Sequence, residues 1–346
     1  MNVCKNLTAA SIMAIMATGS VAGEIRVLNW QGYGTDQDFS VAPFQELTGH
    51  TVLHDYFNSE QEMLTKLRTN PGAYDVVLIN AAFYPDVLAE DLLQPIDTSK
   101  IQNFPDVAPD FAANESINVD GSLYGVPWTW GLTSIAINSS TVGEVPTSIS
   151  IMWDPAHKGR VSIRDDAVEA VQLAALATGQ NINSIGDLSA VEAKLSDLMP
   201  QIRTFWGSEN DWNQFMAAGE LDVASYWSGS AARSASAGLP VEFVIPEEGA
   251  IGWLDGLAIP ASSANVDAAH AFINWMIDPV FYSEWNANGA PASANAAAAA
   301  ALPEDAFNRR VLGNPEVAAR VQFMEPVSAE DREAYLAMWQ AIKAAQ

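Results

Sequence analysis

Apolar and polar residues alternate along residues 24–30 (EIRVLNW), the period of a half-buried strand. Residues 38–47 then take helical spacing, with Gly49 as a stop signal. Residues 51–56 read as a second strand and residues 60–68 as a second amphipathic helix. The run 74–79 (YDVVLI) is too short for a helix and rich in β-branched residues, so it predicts a buried strand, and residues 83–90 return to helix. Strands alternating with helices of about ten residues imply an α/β fold with a mainly parallel sheet covered on both faces.

The same grammar restarts further on. Residues 160–163 predict a strand, 166–177 and 191–198 helices, and 222–226 another short strand. Residues 252–260 are strand-like and residues 265–276 helical. A second α/β unit follows, with linkers expected near residues 124–134 and 247–255. The alanine run 296–301 predicts an exposed helix without chemistry. Residues 329–345 close the chain as a helix with Tyr335, Met338, Trp339 and Ile342 at helical spacing.

The N-terminus changes the picture by adding a destination. Lys5 precedes an apolar stretch at residues 7–17, and Ser20, Val21 and Ala22 give the small-x-small pattern read by signal peptidase. Residues 1–22 are therefore expected to be a cleaved export signal. Cys4, the single cysteine, leaves with it, so no disulfide or thiol chemistry is expected of the mature chain. The formal net charge of −26, from 42 acidic against 16 basic residues, argues against nucleic acid and anionic membrane surfaces as partners. It permits attraction of cationic ligands, although a diffuse acidic surface also serves solubility.

Catalytic signals are missing. The four histidines are scattered, no phosphate-binding glycine loop or nucleophile elbow occurs, and no carboxylate pair is singled out. The expectation is a protein that is not an enzyme and needs neither metal nor cofactor.

Three clusters combine rings with carboxylates near predicted strand ends, where ligands of open α/β sheets lie. They are residues 29–33 (NWQGY), residues 164–169 (RDDAVE) and residues 252–256 (GWLDG), the last with residues 226–229 (YWSG) as a relative. A carboxylate compensates a desolvated ammonium by a charge-assisted hydrogen bond, and aromatic faces cover an alkyl amine's methylene stem. Each piece has a plainer use. Asp166 and Glu169 equally fit a helix-capping box, Trp30 and Trp253 fit a core, and Tyr33 and Asp255 fit turns.

At these residues the chain resembles the periplasmic spermidine/putrescine-binding proteins of bacterial ABC transporters. The likeness runs collinearly through residues 29–33, 73–77 (AYDVV), 124–131 (YGVPWTWG), 153–159 (WDPAHKG), 165–169, 227–230 (WSGS) and 252–260 (GWLDGLAIP). It implies a type II periplasmic-binding-protein fold: two α/β lobes joined by two hinge crossovers, closing on a ligand. Lobe 1 is placed at residues 23–130 plus 255–300, and lobe 2 at residues 131–254 plus 301–346.

The resemblance also implies that Trp30, Tyr33, Trp227 and Trp253 wall the cleft while Asp166, Glu169 and Asp255 pair with amines. Gln31, Asn80, Phe83 and Glu325 complete the candidate ligand-binding set. Gln31-Gly32 and Asn80 depart from the relatives' pattern, and Ala82 and Ala290 stand in place of cleft tyrosines. Glu325 stands where such relatives carry a glutamine. Lost rings and an added carboxylate predict a triamine, spermidine, over a short diamine such as putrescine. Another organic cation (an opine, a guanidino compound or a quaternary amine) is the alternative. An anion is disfavoured because the cleft is expected to offer carboxylates rather than basic residues. The implied partners are the small cationic ligand and an inner-membrane ABC permease, with the protein a monomer in the periplasm.

Overall fold

The computed structural model describes residues 23–345; the export signal read from residues 1–22 lies outside them. Local signals set most element ends. Gly49 caps the helix Asp38–Thr48 in the left-handed conformation, φ 77°, which a residue without Cβ adopts freely. Asp166 caps the helix Ala167–Ala177, an Ala- and Leu-rich segment with high intrinsic helix propensity. The final helix, Ala329–Ala344, buries Tyr335, Met338, Trp339 and Ile342 as its spacing predicts.

A single large sheet runs through the molecule in the order Thr51–Tyr56, Glu24–Asn29, Val76–Asn80, Ala250–Pro260, Val126–Asn138, Val223–Trp227, Val161–Arg164, Ile202–Trp206. The first three strands are parallel to one another, as are the last three. Between them lie two long strands, Ala250–Pro260 and Val126–Asn138, antiparallel to each other and to the neighbour each meets. The segments expected as linkers are thus continuous strands of 11 and 13 residues in mid-sheet. Pro127 and Gly131 suggest a chain break within the 13-residue strand, but both are buried and the strand continues through them.

These two strands feed two separate cores. Val126, Trp128 and Leu257 through Ile259 pack with Ile25, Val27, the run Val76 to Ile79, Phe272 and Trp285. Ile135 and Ile137 pack with Val161, Ile163, Val171, Leu195, Val223 and Trp339. Each fully buried aliphatic side chain contributes about 1.5–3 kcal/mol, so both halves hold their strands firmly, and the shared pair is where they meet.

One local expectation shifts. The helix foreseen over residues 83–90 is a tight turn, Ala81–Phe83, followed by a short helix, Tyr84–Leu88. Asn80 caps that turn by accepting from the Ala82 N–H, and Pro85 sits in the first helical turn, where its missing N–H costs nothing. Among the described residues no helix is long and apolar enough to cross a membrane.

Candidate functional site

Asp255 lies in the middle of the strand Ala250–Pro260, not at a turn. It faces Asn80 on one neighbouring strand and Thr129 on the other, at a register shift between Asp255 and Gly256. Its carboxylate is held from two sides: Asn80 Nδ2 donates to Oδ1 at 3.1 Å and Tyr33 Oη donates to Oδ2 at 2.9 Å. The residue is 7% exposed. Burial raises its pKa to about 7 despite those two donors, and the nearby Glu60 charge pushes the same way.

Tyr33 reaches Asp255 because the chain turns sharply after the first strand. Gly32 takes φ 75° and Asn29 Nδ2 donates to the Tyr33 carbonyl at 3.1 Å. The Tyr33 ring stands edge-on to Trp128 and Trp285, each 5.6 Å away, and its hydroxyl also meets Thr129 Oγ1 at 3.2 Å. Burial and the Asp255 charge raise the Tyr33 pKa well above its usual value, so it remains a donor. Trp253, two residues before Asp255, is 9% exposed and packs against Gly131; a Cβ there would stand 2.4 Å from Trp253 Cζ2.

The second acidic group comes from the strand Val161–Arg164 and the helix after it. Asp166 Oδ1 accepts the Glu169 N–H at 3.0 Å, so the capping use is realised. Its other oxygen stands 4.0 Å from Arg164 Nη1. Glu169 Oε2 pairs with the same Nη1 at 3.4 Å, while its Oε1 is buried without a partner among the described residues. Burial raises the Glu169 pKa to about 7, opposed by the Arg164 charge. The Arg164 guanidinium lies 5.0 Å over the Trp227 ring, which stands edge-on to Trp206 at 5.0 Å.

Glu60 links the two groups and was not among the expected site residues. It is the first residue of the helix Glu60–Thr69, half-buried, and within electrostatic reach of Asp255, Arg164, Asp166 and Arg332. Burial raises its pKa. In sequence, Ser59 followed by Glu60 and Glu62 reads simply as a capped helix start with an acidic first turn; no local signal marks Glu60 for a cleft.

The other expected residues fall variously. Trp30 is half-buried, with its ring 4.5 Å from Phe57, and Gln31 is exposed. Asn80 is buried against Asp255. The face of Phe83 carries the Arg332 guanidinium at 5.1 Å, and Arg332 Nη1 pairs with Asp86 Oδ2 at 2.7 Å. Glu325 is exposed; its backbone N–H donates to Asn183 Oδ1 at 3.1 Å, and among the described residues no hydrogen bond or ion pair joins its carboxylate to the others. The expectation of carboxylates without basic residues needs correcting, since Arg164 and Arg332 sit among them. Arg164 opens the acidic cluster at residues 164–169, and Arg332 comes from the last helix.

The arrangement is a cleft astride two shared strands, with carboxylates and rings contributed from both halves. These features define a ligand-capturing protein of the two-unit binding-protein class. The sequence profile of bacterial extracellular solute-binding proteins matches residues 40–309, and the chain belongs to that family. It is 33% identical over 282 residues to the spermidine/putrescine-binding periplasmic protein of Escherichia coli strain K12, covering 80% of this chain and 79% of that one. It is 29% identical over 319 residues to the putrescine-binding periplasmic protein PotF of the same organism, covering 82% and 84%. In structure it is similar to a putative spermidine/putrescine ABC transporter protein from Listeria monocytogenes, with TM-score 0.82 and 25% identity over 93% of this chain and 99% of that one.

Proposed function

We propose that the protein captures a polyamine in the periplasm and delivers it to an inner-membrane ABC permease. The observation that carries this reading is Asp255: a buried carboxylate on a strand shared by both halves, with its oxygens fixed by Tyr33 and Asn80. A desolvated ammonium is its natural counter-charge. The relatives named for spermidine and putrescine support the same reading. Closure of the lobes divided as the sequence suggests would bring Asp255 and the Asp166–Glu169 group to opposite ends of one elongated ligand, with Glu60 between.

Charge counting refines the ligand. Asp255, Glu60, Asp166 and Glu169 are four carboxylates; Arg332 is already paired with Asp86, so Arg164 alone offsets them and three negative charges remain. A ligand with three amines, such as spermidine, matches that remainder. The sequence-based preference for a triamine leaned on Glu325, which is exposed, and on the space at Ala82 and Ala290, which are 4% and 1% exposed.

A second reading is favoured by Arg164. Its guanidinium makes a single hydrogen bond among the described residues, at 3.4 Å, leaving donors for the carboxylate of a zwitterionic amine such as an opine. A thermal-shift panel of putrescine, spermidine, cadaverine, betaine and an ω-amino acid separates the two. Ligand at about a hundred times its Kd adds roughly 2.7 kcal/mol of stability. The polyamine reading expects upward shifts with polyamines and none with the zwitterion; the reverse pattern overturns it.

A further inference from the structure

Gln172 is 0% exposed, and neither atom of its side-chain amide has a hydrogen-bond partner among the described residues. A buried amide left this way costs about 1–3 kcal/mol per unpaired group. It sits on the helix Ala167–Ala177, one turn past Glu169, whose Oε1 is likewise unpartnered. Residues three apart on a helix share a face.

The facing strand explains where that face looks. Leu176, one turn further along, belongs to a small apolar cluster with Ile251 and Ile182. From Ile251 the strand Ala250–Pro260 presents Trp253 and then Asp255 on one face, because strand side chains alternate. From Leu176 the helix presents Gln172, then Glu169, and its cap Asp166. Two strand residues advance about 6.8 Å and four helix residues about 6 Å. Gln172 therefore stands level with Trp253, whose Nε1 is the fourth buried polar atom of this group without a partner among the described residues.

We infer that Gln172 reads the inner end of the ligand, its Oε1 accepting an N–H from the amine that Glu169 holds. This rests on the polyamine reading of the cleft. The amide suits the position because its oxygen has two lone pairs, one for the amine and one for the Trp253 N–H. On binding, its Nε2 would turn to donate to the Glu169 Oε1 one turn back, both atoms being without a partner among the described residues. Gln172 thus tells a terminal primary amine, rich in N–H donors, from a quaternary ammonium that has none.

The test is calorimetric titration of wild type and Gln172→Leu with putrescine and spermidine, alongside ligand-free melting. Leucine keeps the bulk and removes the unpaired amide. The inference expects affinity to fall at least tenfold while the ligand-free melting temperature holds or rises, because a purely structural role cannot weaken binding while sparing stability. Affinity within twofold of wild type overturns it. If the leucine variant fails to fold, the side-chain amide resonances of Gln172 in the wild type decide: a shift on adding putrescine is expected, and unmoved resonances overturn the inference. Wild type that binds neither amine overturns the polyamine reading itself, an outcome separate from a wild type that binds and a variant that binds equally well.

Discussion

Asn80 and Asp255 face each other across two antiparallel strands, and the Asn80 amide donates to the Asp255 carboxylate at 3.1 Å. With Tyr33 on the other oxygen, the carboxylate is aimed before any ligand arrives. Fixing the group in advance lowers the ordering cost of binding.

The raised pKa values give a pH dependence of definite sign. Asp255 and Glu169 both titrate near 7 in the folded protein, above their unfolded values of about 4. Between these limits the folded state binds more protons. The stability these groups contribute is full below about pH 4 and lost as pH rises to about 7. Ligand-free protein should therefore lose this increment between about pH 4 and 7, while amine affinity rises from pH 6 to 8 as the carboxylates ionise. Titration calorimetry at the two pH values checks this, and affinity that is flat or falling contradicts it.

Gly131→Ala should displace the Trp253 indole, because the new Cβ would stand 2.4 Å from Cζ2. Overpacking of this kind costs about 1–3 kcal/mol. The expected outcome is amine affinity about tenfold lower with a modestly reduced melting temperature. Unchanged affinity removes Trp253 from the cleft wall.

Arg332 joins the last helix to Asp86 at 2.7 Å while covering Phe83. The helix packs in one core and Asp86 lies beside Tyr84 and Val87 of the other, so separating the halves breaks the pair. An ion pair this exposed is worth up to about 1 kcal/mol. Arg332→Ala should accelerate ligand dissociation by up to about fivefold, measured by stopped-flow, with little change in the association rate.

Away from the cleft, Asp222 holds Arg160 at 2.8 Å, His157 at 3.0 Å and Thr141 at 2.7 Å. Burial opposes its charge, but these three donors hold its pKa down at about 2. The stability it contributes is present above its unfolded pKa of about 4 and lost as pH falls to about 2. Asp222→Asn should cost about 3 kcal/mol near neutral pH by thermal melting and leave amine affinity unchanged.

What was legible in the sequence is what is local. The strand at Thr51–Tyr56, the cap at Asp166 and the buried stripe Tyr335, Met338, Trp339 and Ile342 each follow from periodicity or from one side chain's hydrogen bond. The strand Val126–Asn138 was hidden because it is buried at all but one position, so it lacks the alternation that marks a strand and carries Pro127 and Gly131 within it. Glu60 and Arg332 were hidden for another reason. Each reads as a surface residue in its own helix, and only the crossing of the two shared strands brings those helices to one cleft. The resemblance to polyamine-binding proteins pointed to Asp255 and Glu169 but said nothing of Gln172, whose peculiarity is a buried amide without partners.

The central claim is that Asp255 supplies the counter-charge for a ligand amine. Titrating wild type and Asp255→Asn with putrescine and spermidine tests it most directly. Truncating one partner of a buried charged pair costs about 2 kcal/mol or more, so affinity should fall at least about 30-fold. The ligand-free melting temperature should hold or rise at pH 8, because a buried carboxylate has been replaced by a neutral amide. Wild-type affinity in the variant would contradict the account and move the amine site away from the shared strand.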